Sequence, residues 1–472
     1  MDSKGPAFGG GPGGKAPWRV SGQRPDLASV TRRPCVTASG GVVVRRVLPS
    51  LVLLGCLLGF AALWMGGAHE AYFALLRLVG VPAFRFPFLD THGELAIIEC
   101  HRRGLDVYVS NPCDALGRVH VYTPLWFRFG VLPIDTSWTP VAGFALALVF
   151  AGSLLLLPAG RDGRAAGLIC AAALSPAVAF ALERGNVDLL MFVLAALAAA
   201  LALRRLPTRL LAFPVVVLAA ALKVYPATLL VLALRERLVL GLATAALSLA
   251  ALVAYAAIDA VGLREMLAVV PGGTPFIYAF GARDLPLGLG SVFGWPPLVL
   301  AVVQAALLCA AIIFAARRLA VLRLAVGALR PAEATCLLVG AVLILGCFVM
   351  GQSGEYRAVH LLFVLPALTA LAGVPGPARR LASVTVWVIL LQLWGDVASA
   401  PLVRLAGPPA AGFATSAAAL LVWLARELAW WWIVALLLAL LLAMLPDLPC
   451  VAALRRGPGG RPPEGRPAGG GA

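Results

Sequence analysis

Four short polar stretches interrupt a chain that is otherwise close to continuous Ala, Leu and Val. They are ERGNVD at 183–188, KVYP at 223–226, EYRAVH at 355–360, and Asp90 with the segment THGELAIIECHRRGLDVY that follows it. Their residue types suit one kind of chemistry. Arg184, Lys223, Arg357 and His360 can bind phosphate oxygens, arginine through paired donors and lysine as a point charge. Asp90 either caps the start of a helix or, set near those cations, serves as general base for a hydroxyl. Glu99 and Asp106 stand next in line as the base, and Asp188 or Glu183 can orient a cation or bind hydroxyl groups. A carboxylate base beside a cationic phosphate site suits transfer from a lipid phosphate to a hydroxyl, with the cations stabilising charge that develops on the leaving group.

The elements that must position these residues are membrane helices. Of 472 residues 61% are hydrophobic and 13% charged, whereas a soluble domain is about one quarter charged. The pattern is that of an all-α, polytopic integral membrane protein with about twelve transmembrane helices, running from 47–65 to 428–445. The net charge of +16 is spread in pairs between apolar runs, not gathered into a stripe with interleaved aromatics, which argues against a nucleic-acid partner.

Topology follows from those basic pairs. If LLAFPVVVLAAALKVYPATLLVLALRER were one span, Arg317, Arg318, Arg323, Arg330, Arg379 and Arg380 would lie outside. Read as two short helices that meet at KVYP, it keeps them inside with Arg161, Arg164, Arg204, Arg205 and Arg209, as the positive-inside rule requires. Pro226 favours the break. All four polar stretches then face one compartment, and ionisable groups at membrane depth usually line a functional cavity. Any single stretch also fits a water-facing helix end.

Residues 1–42 and 447–472 read as disordered cytoplasmic tails around a transmembrane catalytic domain at 43–446. The first outer loop, 66–140, carries an interfacial helix with Leu95, Ile97, Ile98 and Leu105 on its apolar face and Glu94, Glu99, His101, Arg102 and Arg103 on the rest. Cys100 and Cys113 are the two of nine cysteines that fall in this loop, and a disulfide between them is expected in an oxidising compartment. Neither CxxC pairs nor His/Cys metal spacing occurs, so no structural zinc site is expected. Tyr122, Trp126, Tyr278 and Trp295 either stack on a bound ligand or anchor the membrane interface.

The early Asp90, GLDVY, HVYTPLW, ERGNVD, LKVYP and EYRAVHLLFVLP, in this order over 90–366, resemble the GT-C glycosyltransferases of glycosyltransferase family 87, which includes polyprenyl-phosphate-mannose-dependent mannosyltransferases. The resemblance implies a GT-C fold and an inverting transfer of sugar from a polyprenyl-phosphate donor to a lipid or glycan acceptor, without nucleotide sugar or obligatory metal. By position Asp90 matches the catalytic base. Lys223 and Tyr225 match a lysine-tyrosine-proline motif, and Arg184, Asn186 and Asp188 a polar turn; Tyr356, Arg357 and His360 complete the expected substrate-binding set. The NPCDALGR segment departs from the family pattern, which leaves donor sugar and acceptor open. The Ala/Arg-rich composition fits a GC-rich bacterial genome, and so a bacterial plasma membrane, with both termini cytoplasmic and the site facing out; an endoplasmic reticulum membrane with a lumenal site has the same topology. A lipid-linked glycan ligase or polymerase, which uses a diphosphate donor, is the nearer rival. A secondary transporter is the rival from another class, and it predicts an internal repeat that the sequence does not show.

Overall fold

The computed structural model describes residues 38–270, 275–276, 278–351, 353–406 and 416–456. Helices dominate; among the described residues the only strands are a two-residue antiparallel pair, Ala279–Phe280 with Ser353–Gly354. Among the described residues seven helices are long and apolar enough to cross a bilayer, or nine if each bent pair, Gly163–Ala173 with Pro176–Arg184 and Pro377–Leu393 with Asp396–Leu402, is one span. Three shorter apolar helices, Val187–Leu201, Thr208–Leu222 and Tyr225–Arg235, complete the series. Each of the twelve apolar runs is therefore helical, and length divides them. At about 1.5 Å per residue a 15-residue helix covers about 22 Å, short of a hydrocarbon core of about 30 Å.

Burial shows where the lipid lies. In Leu238–Ile258 and Pro297–Val326 only 11% of the most apolar window is buried by protein, against 72% in Pro331–Met350 and 78% in Glu355–Ala372. A helix apolar on every side and uncovered by protein is solvated by lipid. The chain is an integral membrane protein. Its core gathers Phe192, Phe348 and Phe363 from the inner helices. Ala195, Ala196, Ala198 and Ala199 on Val187–Leu201 are all buried, small side chains that let neighbouring helices approach closely.

The KVYP segment is a hairpin. Ala212–Leu222 runs to Lys223, which is extended at φ −154°, ψ 127°, and a 3-10 helix from Tyr225–Arg235 returns beside it. Its open end is tied by an ion pair of 2.8 Å between Arg209 and Glu236. The turn strips the carbonyls of Ala221 and Leu222 of helical partners, and at membrane depth such groups must be satisfied. The HVYTPLW segment supplies the donors. Thr123 Oγ1 donates to Ala221 at 2.6 Å and to Leu222 at 3.1 Å, and Trp126 Nε1 donates to Leu222 at 3.2 Å.

Both tails are shorter than the sequence suggests. The first helix, Ala38–Met65, begins inside the segment expected to be disordered, and Pro449–Arg456 is helical within the other. Pro449 presets the first-turn geometry, and Cys450 is buried against Gly241. Residues 1–37 and 457–472 lie outside the described residues.

Candidate active site

The ERGNVD turn is built from two caps. Pro176–Arg184 ends at Gly185, left-handed at φ 57°, ψ 43°, and Asn186 opens Val187–Leu201 by accepting from the Asp188 N–H at 2.9 Å. Both residues suit their positions. The outer-loop helix Leu89–Arg102 docks on this turn: Phe88 N–H donates to the Glu183 carbonyl at 2.6 Å and Thr91 Oγ1 to the Gly185 carbonyl at 2.7 Å. A Cβ at position 185 would collide with Thr91 and Phe88, so glycine is required for the approach as well as for its φ.

Docking places Asp90 against Arg184 and Asn186. Oδ2 accepts from Arg184 Nε at 2.7 Å and Asn186 Nδ2 at 2.6 Å; Oδ1 accepts from Arg118 Nη1 at 2.8 Å and from Arg184 Nη2. A carboxylate offers about four lone-pair positions, so Asp90 is saturated. Burial pushes its pKa up, but the Arg184 guanidinium, the Asn186 amide and Arg118 outweigh burial, and the net value lies below the ordinary carboxylate range. Arg118 is itself clamped by Asp114, with Nε at 3.0 Å and Nη2 at 2.9 Å. The loop carrying this pair is fastened to the helix by the disulfide Cys100–Cys113. Sequence reasoning passed over Arg118; its one signal is the i,i+4 spacing of Asp114 and Arg118 in NPCDALGR.

Glu94 departs from the polar face that the periodicity assigns to it. It lies one turn beyond Asp90 on the same face, buried and not on the wetted face, and its Oε2 has no hydrogen-bond partner. Burial, then the charge of Asp90, pushes its carboxyl up to about 8. Leu95, Ile97 and Ile98 are buried as the periodicity implies, whereas Leu105 lies beyond the helix end and is exposed.

The second half of the site surrounds Asp188. Oδ1 accepts from Lys223 Nζ at 2.8 Å and Tyr225 Oη at 2.7 Å, and Arg357 Nε stands 3.7 Å from Oδ2. His360 Nε2 is 2.7 Å from Tyr225 Oη. Because that hydroxyl donates to Asp188, His360 must donate from Nε2. Lys223 also lies 4.8 Å from the ring centre of Tyr122. Phe180 connects the halves, its ring 5.5 Å from the Arg184 guanidinium carbon and 6.0 Å from the Tyr356 ring. Asp90, Arg184, Asn186, Asp188, Lys223, Tyr225, Tyr356, Arg357 and His360 thus form one layer at one end of the bundle. Its cations, Arg184, Lys223 and Arg357, number three against the carboxylates of Asp90 and Asp188, while the adjoining Arg118 and Asp114 offset one another. The excess cation suits an anionic ligand.

Other residues singled out in the sequence stand elsewhere. Glu99 pairs with Arg103 and accepts from Thr136 Oγ1 at 3.1 Å, and Asp106 accepts from the Tyr108 N–H at 3.0 Å; neither is brought to the layer. Trp295 stacks on Phe293 at 5.5 Å. Glu183 is buried behind Arg184 with Oε2 unpartnered. Among the described residues no group of three or more His, Cys, Asp or Glu is arranged to hold a metal ion. Compared with protein-family models, curated proteins and solved structures, the chain matches none.

Proposed function

We propose that the protein is a GT-C glycosyltransferase that moves a sugar from a polyprenyl-phosphate donor to a hydroxyl of a lipid or glycan acceptor, with inversion at the anomeric carbon. The observation that carries the reading is the Asp90 clamp, a carboxylate whose arginine partner, Arg184, is continuous with the cationic set around Lys223. In the reaction, the donor phosphate draws Arg184 away from Asp90 and is held by Arg184, Lys223 and Arg357. Loss of the Arg184 contacts frees lone pairs on both oxygens of Asp90. The acceptor hydroxyl then gives its proton to Asp90 as its oxygen bonds to the anomeric carbon, and the bond from that carbon to the phosphate oxygen breaks with its electron pair on the leaving polyprenyl phosphate. The cations stabilise that charge where little water competes. Asn186 stays with Asp90 and fixes its orientation.

The sidedness supports a site that faces away from the cytoplasm. Arg161, Arg209 and Arg330 pair with Glu333 and Glu236 at the opposite end of the bundle, and the disulfide lies at the site end, the arrangement expected when the site faces an oxidising compartment. The test of the phosphate role is binding of undecaprenyl phosphate to purified protein. Arg184→Gln should weaken it at least tenfold, the scale of one charge-assisted bidentate contact. Unchanged binding would remove Arg184 from the phosphate site.

A further inference from the structure

A second polar cluster lies one ring beyond the Asp90 layer, and the proposed transfer chemistry does not use it. Arg426, from the helix Ala417–Met444, donates Nη1 to Asp396 at 2.7 Å and to Ser399 Oγ at 2.8 Å, and Nη2 to Glu355. Its head lies over Gly395, where a Cβ would come within 2.8 Å of Nε, so the backbone is shaped to seat it. Charged groups at this depth are costly and mark functional cavities more often than structural ones.

This cluster lines two adjacent spaces that share Phe276, Tyr278, Ser399 and Arg426. The outer chamber has a volume of about 330 Å³ and reaches Gly80 and Asp396, the low end of small-molecule sites. The inner recess is about 20 Å³, room for a group the size of one water. Two buried acceptors line that recess without partners: Glu427 Oε2 and Gln392 Oε1. Both residues are more than nine-tenths buried. Gln392 Nε2 donates to Glu355 at 3.2 Å, which commits its amide nitrogen and leaves the oxygen unmet. Buried acceptors left unsatisfied are expensive, so a ligand that brings hydroxyl donors gains by filling the recess.

Aromatic walls complete the site. Phe276 packs edge to face on Trp423 at 5.1 Å, and Trp423 Nε1 is spent on the Pro275 carbonyl at 2.8 Å. The Tyr278 ring packs on Phe180, 5.1 Å away, which in turn lies under Arg184. The chamber therefore adjoins the layer that holds Asp90. Ring faces beside carboxylates and a locked arginine favour a polyol with apolar faces over a free ion.

We propose that this cavity is a saccharide-binding site, taking a sugar ring in the chamber with one hydroxyl seated in the recess on Glu427 and Gln392. The saccharide class is argued from the cavity alone. That the bound sugar is the acceptor rests on the transferase reading above.

The test is saturation-transfer difference NMR on the full chain in lipid nanodiscs, with mannose, glucose, galactose, arabinose and their methyl glycosides as probes. Glu427→Leu removes an acceptor from the recess, and Ala400→Trp fills the chamber without touching the ionic network. Each should weaken binding of the preferred sugar at least tenfold. In the transfer assay both variants should raise the acceptor KM about tenfold with the donor KM unchanged. Sugar binding that both variants abolish in a protein that transfers nothing would uphold the site and sink the transferase reading. Wild-type binding in both variants, or no saturation transfer from any sugar to folded wild-type protein, would overturn the inference and leave the recess as a buried water site.

Discussion

Glu94→Gln isolates the one buried carboxyl of the outer-loop helix that has an unpartnered oxygen. In an unfolded chain this group titrates near 4.5, and in the fold burial raises it to about 8. Between these values the unfolded chain has released a proton that the native protein keeps, so stability falls as pH rises, by about 1.4 kcal/mol per pH unit. Below about pH 4.5 the penalty is absent, and above about pH 8 it levels off on the order of 5 kcal/mol. Glutamine is neutral throughout and escapes it. With an unfolding entropy of about 2.1 cal/mol/K per residue over some 400 residues, 1 kcal/mol corresponds to about 1 °C. The variant should therefore melt close to wild type at pH 5 and about 5 °C above it at pH 9, measured by thermal denaturation in detergent at both pH values. A melting difference that does not grow with pH would refute the burial assigned to Glu94.

Three further outcomes follow from the same geometry. Lys223→Met leaves Asp188 buried without its close cation and should cost about 3–5 kcal/mol, whereas Lys223→Met with Asp188→Leu should recover most of that loss; melting of both variants checks the coupling, and simple additivity would contradict it. Replacing Cys100 and Cys113 by serine opens a short loop and should cost about 2–4 kcal/mol, visible as a lower Tm that reductant imposes on wild type but not on the variant. Arg118→Gln removes a clamp on Asp90 without removing a proposed phosphate ligand, so kcat should fall while undecaprenyl phosphate binding stays within about twofold; a tenfold loss of binding would reassign Arg118 to the donor site.

The membrane class and the order of the helices were legible because the bilayer forces near-continuous apolar runs, and each of these runs is helical in the fold. The hairpin at Lys223 was legible from the placement of arginines, and the Arg209–Glu236 pair at its open end is the contact that such a hairpin makes and a single straight span cannot. The polar turn was legible because Gly185 and Asn186 carry local signals for a helix stop and start. What escaped was long-range. The i,i+4 spacing with Asp114 marks only a local ion pair, and nothing in it points to Asp90, which Arg118 reaches across 28 residues. Periodicity put Glu94 on the wetted face of an isolated amphipathic helix, but Leu89–Arg102 is covered by the polar turn on that side and buries polar groups there. The Arg426 cluster joins residues 30 and 71 positions apart, and of these only Glu355 lies in a polar stretch that interrupts the apolar pattern.

The central claim is that the layer around Asp90 transfers a sugar from a lipid monophosphate. The most direct measurement is label transfer by purified protein from a panel of polyprenyl-phosphate sugars to a membrane lipid extract, run beside Asp90→Asn. The expected result is transfer from one monophosphate donor without added metal, with kcat in the variant reduced at least a hundredfold, the lower end of what a general base contributes. No transfer from any monophosphate donor by folded protein, or equal transfer by Asp90→Asn, would contradict it.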